Sequence, residues 1–275
     1  MANTLNIPDT IEYITDWLRD YAHKARVNGF VVGVSGGIDS AVVSTLSAKT
    51  GMNTVLISMP IHQGKDQVLR GQKHLDNLAK SYKNVEVMDL DLTEPYDQFV
   101  RLLEKKVDLN SDVEKKFLTL SNSRSRLRML SLYAVAGVKG LLVCGTGNKV
   151  EDFGVGFYTK YGDGGVDLSP IADLMKSEVY ALGRELGIVN DILEAQPTDG
   201  LWDDGRTDED QIGATYDELE WAMNLQDDYG DEPSEAHFET DRQKRVWEIY
   251  IGRHKTNRHK MDPIPVCTLP SNLRS

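Results

Sequence analysis

Phe30-Val31-Val32-Gly33-Val34-Ser35-Gly36-Gly37-Ile38-Asp39-Ser40 is the stretch on which the fold of this chain turns. The apolar run from Phe30 to Val34 reads as a strand buried on both faces, as in a parallel sheet. It breaks at Ser35-Gly36-Gly37 and continues through Asp39-Ser40 into Ala41-Val42-Val43-Ser44-Thr45-Leu46, a helical pattern. Two glycines at such a turn let the backbone approach a ligand closely. The N–H groups that open the helix have no acceptor within it and suit a phosphate. Asp39, in the first turn, is a candidate ligand for a hard cation such as Mg²⁺. The Gly-Lys-[Ser/Thr] element of a Walker A loop is missing, so γ-phosphate transfer is not the chemistry this turn suggests.

The same alternation continues outward. Ile11, Ile14, Trp17, Leu18, Tyr21, Ala22 and Ala25 recur at helical spacing, after an Asp9/Glu12 pair that resembles a capping box. Strands are expected over 54–59, 85–90 and 141–144, and helices over 64–81, 93–106, 112–137 and 176–186. Strands alternating with helices predict an α/β fold, a doubly wound parallel sheet with helices on both faces. Its ligands gather at the carboxyl ends of the strands. Past residue 190 the pattern changes. Residues 202–210 are acidic and aperiodic and read as a mobile loop, a candidate lid. Helices are expected over 215–226 and 240–252, and Lys255 to Lys260 form a basic tail. The expected organisation is one domain over 1–275, with a core at about 29–190 and a helical C-terminal extension at about 191–275.

Composition narrows the function. A net charge of −12 argues against a nucleic-acid binder, which needs a basic footprint, and leaves anionic ligands to local basic spots. Cys144 and Cys267 form no Cys-x-x-Cys pair, so neither a zinc site nor a redox motif is expected, and a reducing cytoplasm fits. No apolar run approaches the roughly 20 residues of a membrane span, and no signal peptide is visible.

Three further segments carry chemistry. Gly145-Thr146-Gly147-Asn148-Lys149-Val150-Glu151 follows the fourth strand, and its hydroxyl and carboxylate can serve a nucleotide and its metal together with Asp39. Tyr158-Thr159-Lys160-Tyr161-Gly162-Asp163-Gly164-Gly165-Val166-Asp167 is glycine-rich, aromatic and charged, a mixture that favours a small-molecule site. In Asn122-Ser123-Arg124-Ser125-Arg126-Leu127-Arg128, Arg124 and Arg128 share a helix face and Arg126 points elsewhere.

Ser35-Gly36-Gly37-Ile38-Asp39-Ser40 resembles the pyrophosphate loop of the N-type ATP pyrophosphatases. With the 145–151 and 158–165 segments, Gly200-Leu201-Trp202 and Thr207-Asp208-Glu209-Asp210, the chain resembles the ammonia-dependent form of the NAD synthetase family from about residue 29 to 265. The resemblance implies ATP-dependent amidation of deamido-NAD⁺ to NAD⁺ through an acyl-adenylate, with AMP and pyrophosphate released. It implies that Gly33, Val34, Ser35, Gly36, Gly37, Ile38, Asp39 and Ser40 hold the ATP phosphates, and that Thr146, Lys176 and Thr198 also contact ATP. Asp39 and Glu151 would bind Mg²⁺. Arg126, Lys160, Asp167, His259 and Lys260 would contact deamido-NAD⁺, and Asp163 would sit near the incoming ammonia; Asp39, Asp163 and Lys176 are the catalytic candidates. The resemblance also implies a homodimer packed through residues 112–137, with no nucleic-acid or membrane partner. No amidohydrolase-sized segment precedes residue 29, so the ammonia is expected free or from a separate protein. The alternatives are another ATP pyrophosphatase-type ligase and a nucleotide-binding module without turnover.

Overall fold

The computed structural model describes residues 5–198 and 207–273. In chain order its elements are α1 (Ile7–Ala25), β1 (Gly29–Gly33), α2 (Ile38–Lys49), β2 (Asn53–Ser58), α3 (Lys65–Ser81), β3 (Val85–Asp89), α4 (Thr93–Glu104), α5 (Val113–Lys139) and β4 (Leu142–Val143). A π-helical turn (Val150–Val155) follows, then α6 (Lys176–Glu185), α7 (Asn190–Leu193), α8 (Asp208–Ile212), α9 (Tyr216–Tyr229) and α10 (Asp241–Met261).

The four strands pair in parallel in the order β3-β2-β1-β4. β1 is central, with Phe30 opposite both Thr54 and Leu142. Successive strand side chains point to opposite faces, and the core divides accordingly. Phe30 and Val32 enter a cluster built with α1, α2, α3 and α6, whereas Val31 enters one built with α4 and α5. The doubly wound reading of the sequence therefore holds. A third apolar cluster joins α8, α9 and α10 to the π-helical turn.

Local differences have local causes. α1 begins before the expected Asp9/Glu12 box. Asn6 caps it, its side chain accepting from the Asp9 amide at 3.4 Å, with Pro8 in the first turn, where its fixed φ suits a helix start. Residues 255–260 are not a loose tail but the last turns of α10, which packs on the π-helical turn through Asn257, whose Nδ2 donates to the Val155 carbonyl at 2.9 Å. Of the expected mobile loop, 207–210 form the start of α8, capped by Thr207 on the Asp210 amide at 3.1 Å; its earlier part and the Gly200-Leu201-Trp202 motif lie outside the described residues. No helix of the described residues is long and apolar enough to cross a membrane.

α3 meets the loop after β1 backbone to backbone at Gly71. Gly36 has φ +86°, and a Cβ there would lie 2.6 Å from the Gln67 carbonyl oxygen and 3.1 Å from the Gly71 nitrogen. One turn on, His74 is buried and its Nε2 meets the Ser44 hydroxyl of α2 at 2.9 Å. Burial pushes the imidazole pKa down to about 4. Between that value and the ordinary 6.5 the unfolded chain binds the extra proton, so stability is full above pH 6.5 and falls as the pH drops toward 4. The expected loss over that window is about 3 kcal/mol. Urea denaturation at pH 7.0 and 4.5 measures it, and His74→Gln should flatten this part of the profile.

Candidate active site

The loops after β1 and β4, the start of α6 and the segments around Tyr158, Thr198 and Lys260 enclose a cavity of about 730 Å³ at the carboxyl ends of the strands. Its floor is an ion cluster. Lys176, the first residue of α6, is buried and donates to Asp39 Oδ2 at 2.6 Å and Glu151 Oε1 at 2.9 Å. Asn148 Nδ2 donates to Asp39 Oδ1 at 3.1 Å, while its own Oδ1 accepts from the Val150 and Glu151 amides, both at 3.1 Å. That side-chain cap starts the π-helical turn carrying Glu151. Tyr216 of α9 donates to Glu151 Oε1 at 2.6 Å, and the Lys176 ammonium lies 4.7 Å from its ring centroid.

Burial and electrostatics compete in this cluster. Burial raises the Asp39 carboxyl above its ordinary range despite the ammonium beside it. Glu151 is lowered: burial opposes this, but Lys176 and the Tyr216 hydroxyl together outweigh it. The two carboxylates hold Lys176 protonated, raising it above its ordinary value against the burial that would lower it. Asp152, next along the cavity wall, has no such partner; burial, with Glu151, Asp163 and Asp39 nearby, pushes it up to about 8. Among the described residues no three His, Cys, Asp or Glu side chains form a closed metal cage. Two carboxylates aimed at one cation position, with further oxygens to come from a ligand, are the donor set that Mg²⁺ takes with a polyphosphate.

The second half of the site joins α5 to the glycine-rich segment. Asp163 Oδ1 accepts from the Ser125 hydroxyl at 2.5 Å and from the Thr159 amide at 3.1 Å, and the Thr159 hydroxyl donates to Asn122 at 2.6 Å. Solvent reaches Asp163 through the cavity mouth, yet desolvation within the cavity raises its carboxyl above the usual range, against the Ser125 and Thr159 hydrogen bonds that lower it. Arg126 Nε donates to the Lys160 carbonyl at 3.2 Å, Lys160 Nζ to the His259 carbonyl at 2.6 Å, and Lys260 Nζ to the Gly156 and Tyr158 carbonyls at 2.8 and 2.9 Å.

The residues expected from sequence thus converge, with one exception. Gly33 to Ser40, Thr146, Glu151, Lys160, Asp163, Lys176, Thr198, Arg126, His259 and Lys260 all line the cavity. Asp167 does not. Its Oδ2 accepts from the Val143 amide at 2.8 Å and its Oδ1 from the Tyr133 hydroxyl at 2.9 Å, so it joins β4 to α5 outside the cavity wall. Arg128 also lines the cavity, its Nε held by the Met59 carbonyl at 2.9 Å, whereas Arg124 lies 5.3 Å from the Tyr96 ring centroid. Sequence reasoning gave no role to Asn148, Asp152, Asp208 or Tyr216. Asn148 stood inside a quoted motif, and its spacing to Glu151 was the available signal. Tyr216 arrives from a helix 65 residues away, and no local pattern announces it. Cys144 is buried, which pushes its thiol up to about 12, so it offers no nucleophile.

The chain is similar to known proteins of one family. The family model described as NAD synthase matches residues 10–264. An NH(3)-dependent NAD(+) synthetase of Alkaliphilus oremlandii is 40% identical over 218 residues, 78% of this chain and 84% of the relative. One of Mesoplasma florum is 35% identical over 217 residues, 78% of this chain and 84% of the relative. Among solved structures, an NMN synthetase from Francisella tularensis superposes with a TM-score of 0.81 at 28% identity, over 97% of this chain and 100% of that one.

Removing the shared ammonium should expose the cost of the floor. In Lys176→Met, Asp39 and Glu151 face each other unpaired, and a loss of about 3 kcal/mol is expected at pH 7. The loss should shrink at pH 5, where one carboxyl takes a proton. Urea titrations of both proteins at the two pH values check this.

Proposed function

The chain belongs to the NAD synthase family, and from that premise we propose a reaction for this cavity: ATP-dependent amidation of deamido-NAD⁺ with ammonia, giving NAD⁺, AMP and pyrophosphate. The observation that carries the reading is the convergence, in one cavity, of a glycine turn at a helix start, two carboxylates sharing one cation position, and a second carboxylate region at Asp163.

A carboxylate is a poor acyl donor because its oxygen leaves badly. In the first step a nicotinate carboxylate oxygen attacks the α-phosphorus of ATP, and pyrophosphate departs with the electron pair of the broken bridge bond. In the second, the lone pair of ammonia attacks the acyl carbon, and AMP leaves with the former carboxylate oxygen. Charge builds on phosphate oxygens in step one, where the Ser35–Gly37 turn, the first-turn amides of α2 and Lys176 supply positive potential. In this reading Asp39 and Glu151 hold Mg²⁺, which when bound neutralises the polyphosphate. Lys176 Nζ, beside both carboxylates, would keep its positive charge next to the phosphate oxygens. Asp163 orients the ammonia and accepts the proton it sheds; its raised carboxyl makes it a better base than an ordinary aspartate. Arg126, Lys160, His259 and Lys260 hold the acyl substrate at the other end, with Thr146 and Thr198 on ATP.

The homodimer of this reading packs through residues 112–137, where Leu118 and Leu130 are exposed apolar side chains and Leu118 also lines the cavity. A second copy packed there would let a dinucleotide reach across the interface. The core at about 29–190 and the helical remainder act as one domain around the shared cavity, in a reducing cytoplasm consistent with two free thiols.

The likeness to an NMN synthetase favours one further reading, in which the acyl substrate is the mononucleotide bearing the same carboxylate. Pyrophosphate and amide product measured in one tube, with deamido-NAD⁺ or nicotinate mononucleotide and with or without ammonium, separate the two. Equal amounts of NAD⁺ and pyrophosphate, formed only with deamido-NAD⁺ and ammonium together, are expected. Preference for the mononucleotide would transfer the assignment to it. Asp39→Ala should keep its far-ultraviolet circular dichroism and release pyrophosphate at least about a hundredfold more slowly; an unchanged rate refutes the metal role.

A further inference from the structure

We propose that Arg70 grips the polyphosphate of ATP and the pyrophosphate that leaves it; the proposal rests on the ATP-cleaving activity above. Arg70 lies on α3 and lines the cavity beside Gln67 and the loop after β1. Its Nε is buried without a hydrogen-bond partner among the described residues. A guanidinium is donor-only and always charged, so a buried N–H of this kind needs an acceptor from elsewhere.

The backbone on both sides of Arg70 is held against the phosphate loop. The Gln67 carbonyl and the Gly71 nitrogen are the atoms that a Cβ at Gly36 would strike. Residues 67, 70, 71 and 74 follow helical spacing along one face, and His74 anchors that face to α2 at Ser44, 2.9 Å away. Arg70 thereby lines the same cavity as the turn that opens α2, whose first amides lack acceptors within their helix. The acidic residue on its outer side, Asp191, is exposed and is engaged by Lys73 at 2.7 Å. A planar guanidinium beside free backbone amides is the donor set for phosphate oxygens, which it meets in pairs. Arg126, Lys160 and Lys260 are linked to one another through the Lys160, His259 and Tyr158 carbonyls, whereas the α3 backbone around Arg70 touches the phosphate loop at Gly36, so we assign Arg70 to the phosphates and not to the acyl substrate.

The test is calorimetric titration of the full chain with inorganic pyrophosphate in the presence of Mg²⁺, for wild type, Arg70→Gln and Arg70→Lys. Loss of a charge-assisted pair should weaken binding roughly ten- to a hundredfold in Arg70→Gln. Arg70→Lys should fall between, because an ammonium keeps the charge but not the fork. Steady-state kinetics should show the KM for ATP rising in parallel, with the KM values for deamido-NAD⁺ and ammonium within about twofold of wild type. A pyrophosphate Kd in Arg70→Gln within about twofold of wild type overturns the proposal. If Arg70→Gln does not fold, an unchanged Kd in Arg70→Lys overturns it as well. The titration contains no acyl substrate. A chain that binds pyrophosphate through Arg70 yet fails to amidate deamido-NAD⁺ would overturn the functional reading and leave this one standing.

Discussion

A single buried ammonium holds the site together. Lys176 comes from the start of α6, Asp39 from the first turn of α2, and Glu151 from a π-helical turn after β4; the lysine reaches both carboxylates at 2.6 and 2.9 Å. Each of these elements leaves a different part of the sheet, and each contributes a group that is costly to bury alone. A buried charge triad of this kind adds little net stability, because desolvation offsets the attraction. What it fixes is geometry. Asn148 and Tyr216 donate further hydrogen bonds to the two carboxylates, so these are aimed before any nucleotide arrives. That preorganisation is what a charge-separating reaction requires.

The rest of the fold can be understood as support for that arrangement. β1 is buried on both faces, so the loop after it leaves from the interior of the sheet. Gly36 allows α3 to touch the loop backbone, and the buried His74–Ser44 contact keeps α3 in register with α2. The third apolar cluster presses α9 and α10 onto the π-helical turn, carrying Tyr216 to Glu151 and the end of α10 to the cavity mouth. Loss of any of these contacts acts on the chemistry through position and not through direct contact with substrate.

The strand, turn and helix around Ser35 were legible in the sequence because each is set by local rules: an unbroken apolar run, two glycines, and a helical pattern opening on an acidic residue. The alternation along residues 54–144 was legible for the same reason, and with it the parallel sheet. The π-helical turn was not, since its start depends on a side-chain cap by Asn148 and its outer face on packing by α10. The last turns of α10 are rich in charge and looked like a tail; their inward groups, Asn257 and Lys260, hydrogen-bond to carbonyls about a hundred residues away in sequence. Asp167 is placed by tertiary contacts of its own. It stands in a segment dense in site residues, but in this chain the Val143 amide and the Tyr133 hydroxyl take both its oxygens. Side chains that meet across distant elements are set by packing, which a local pattern does not contain.

The central claim is that the substrate's own carboxylate is adenylated before ammonia attacks. It is tested most directly by following oxygen. Deamido-NAD⁺ labelled with ¹⁸O in its carboxylate is turned over with ATP and ammonium, and the products are weighed by mass spectrometry. One labelled oxygen is expected in each AMP and none in pyrophosphate. Label in inorganic phosphate together with ADP, or AMP free of label, would contradict it.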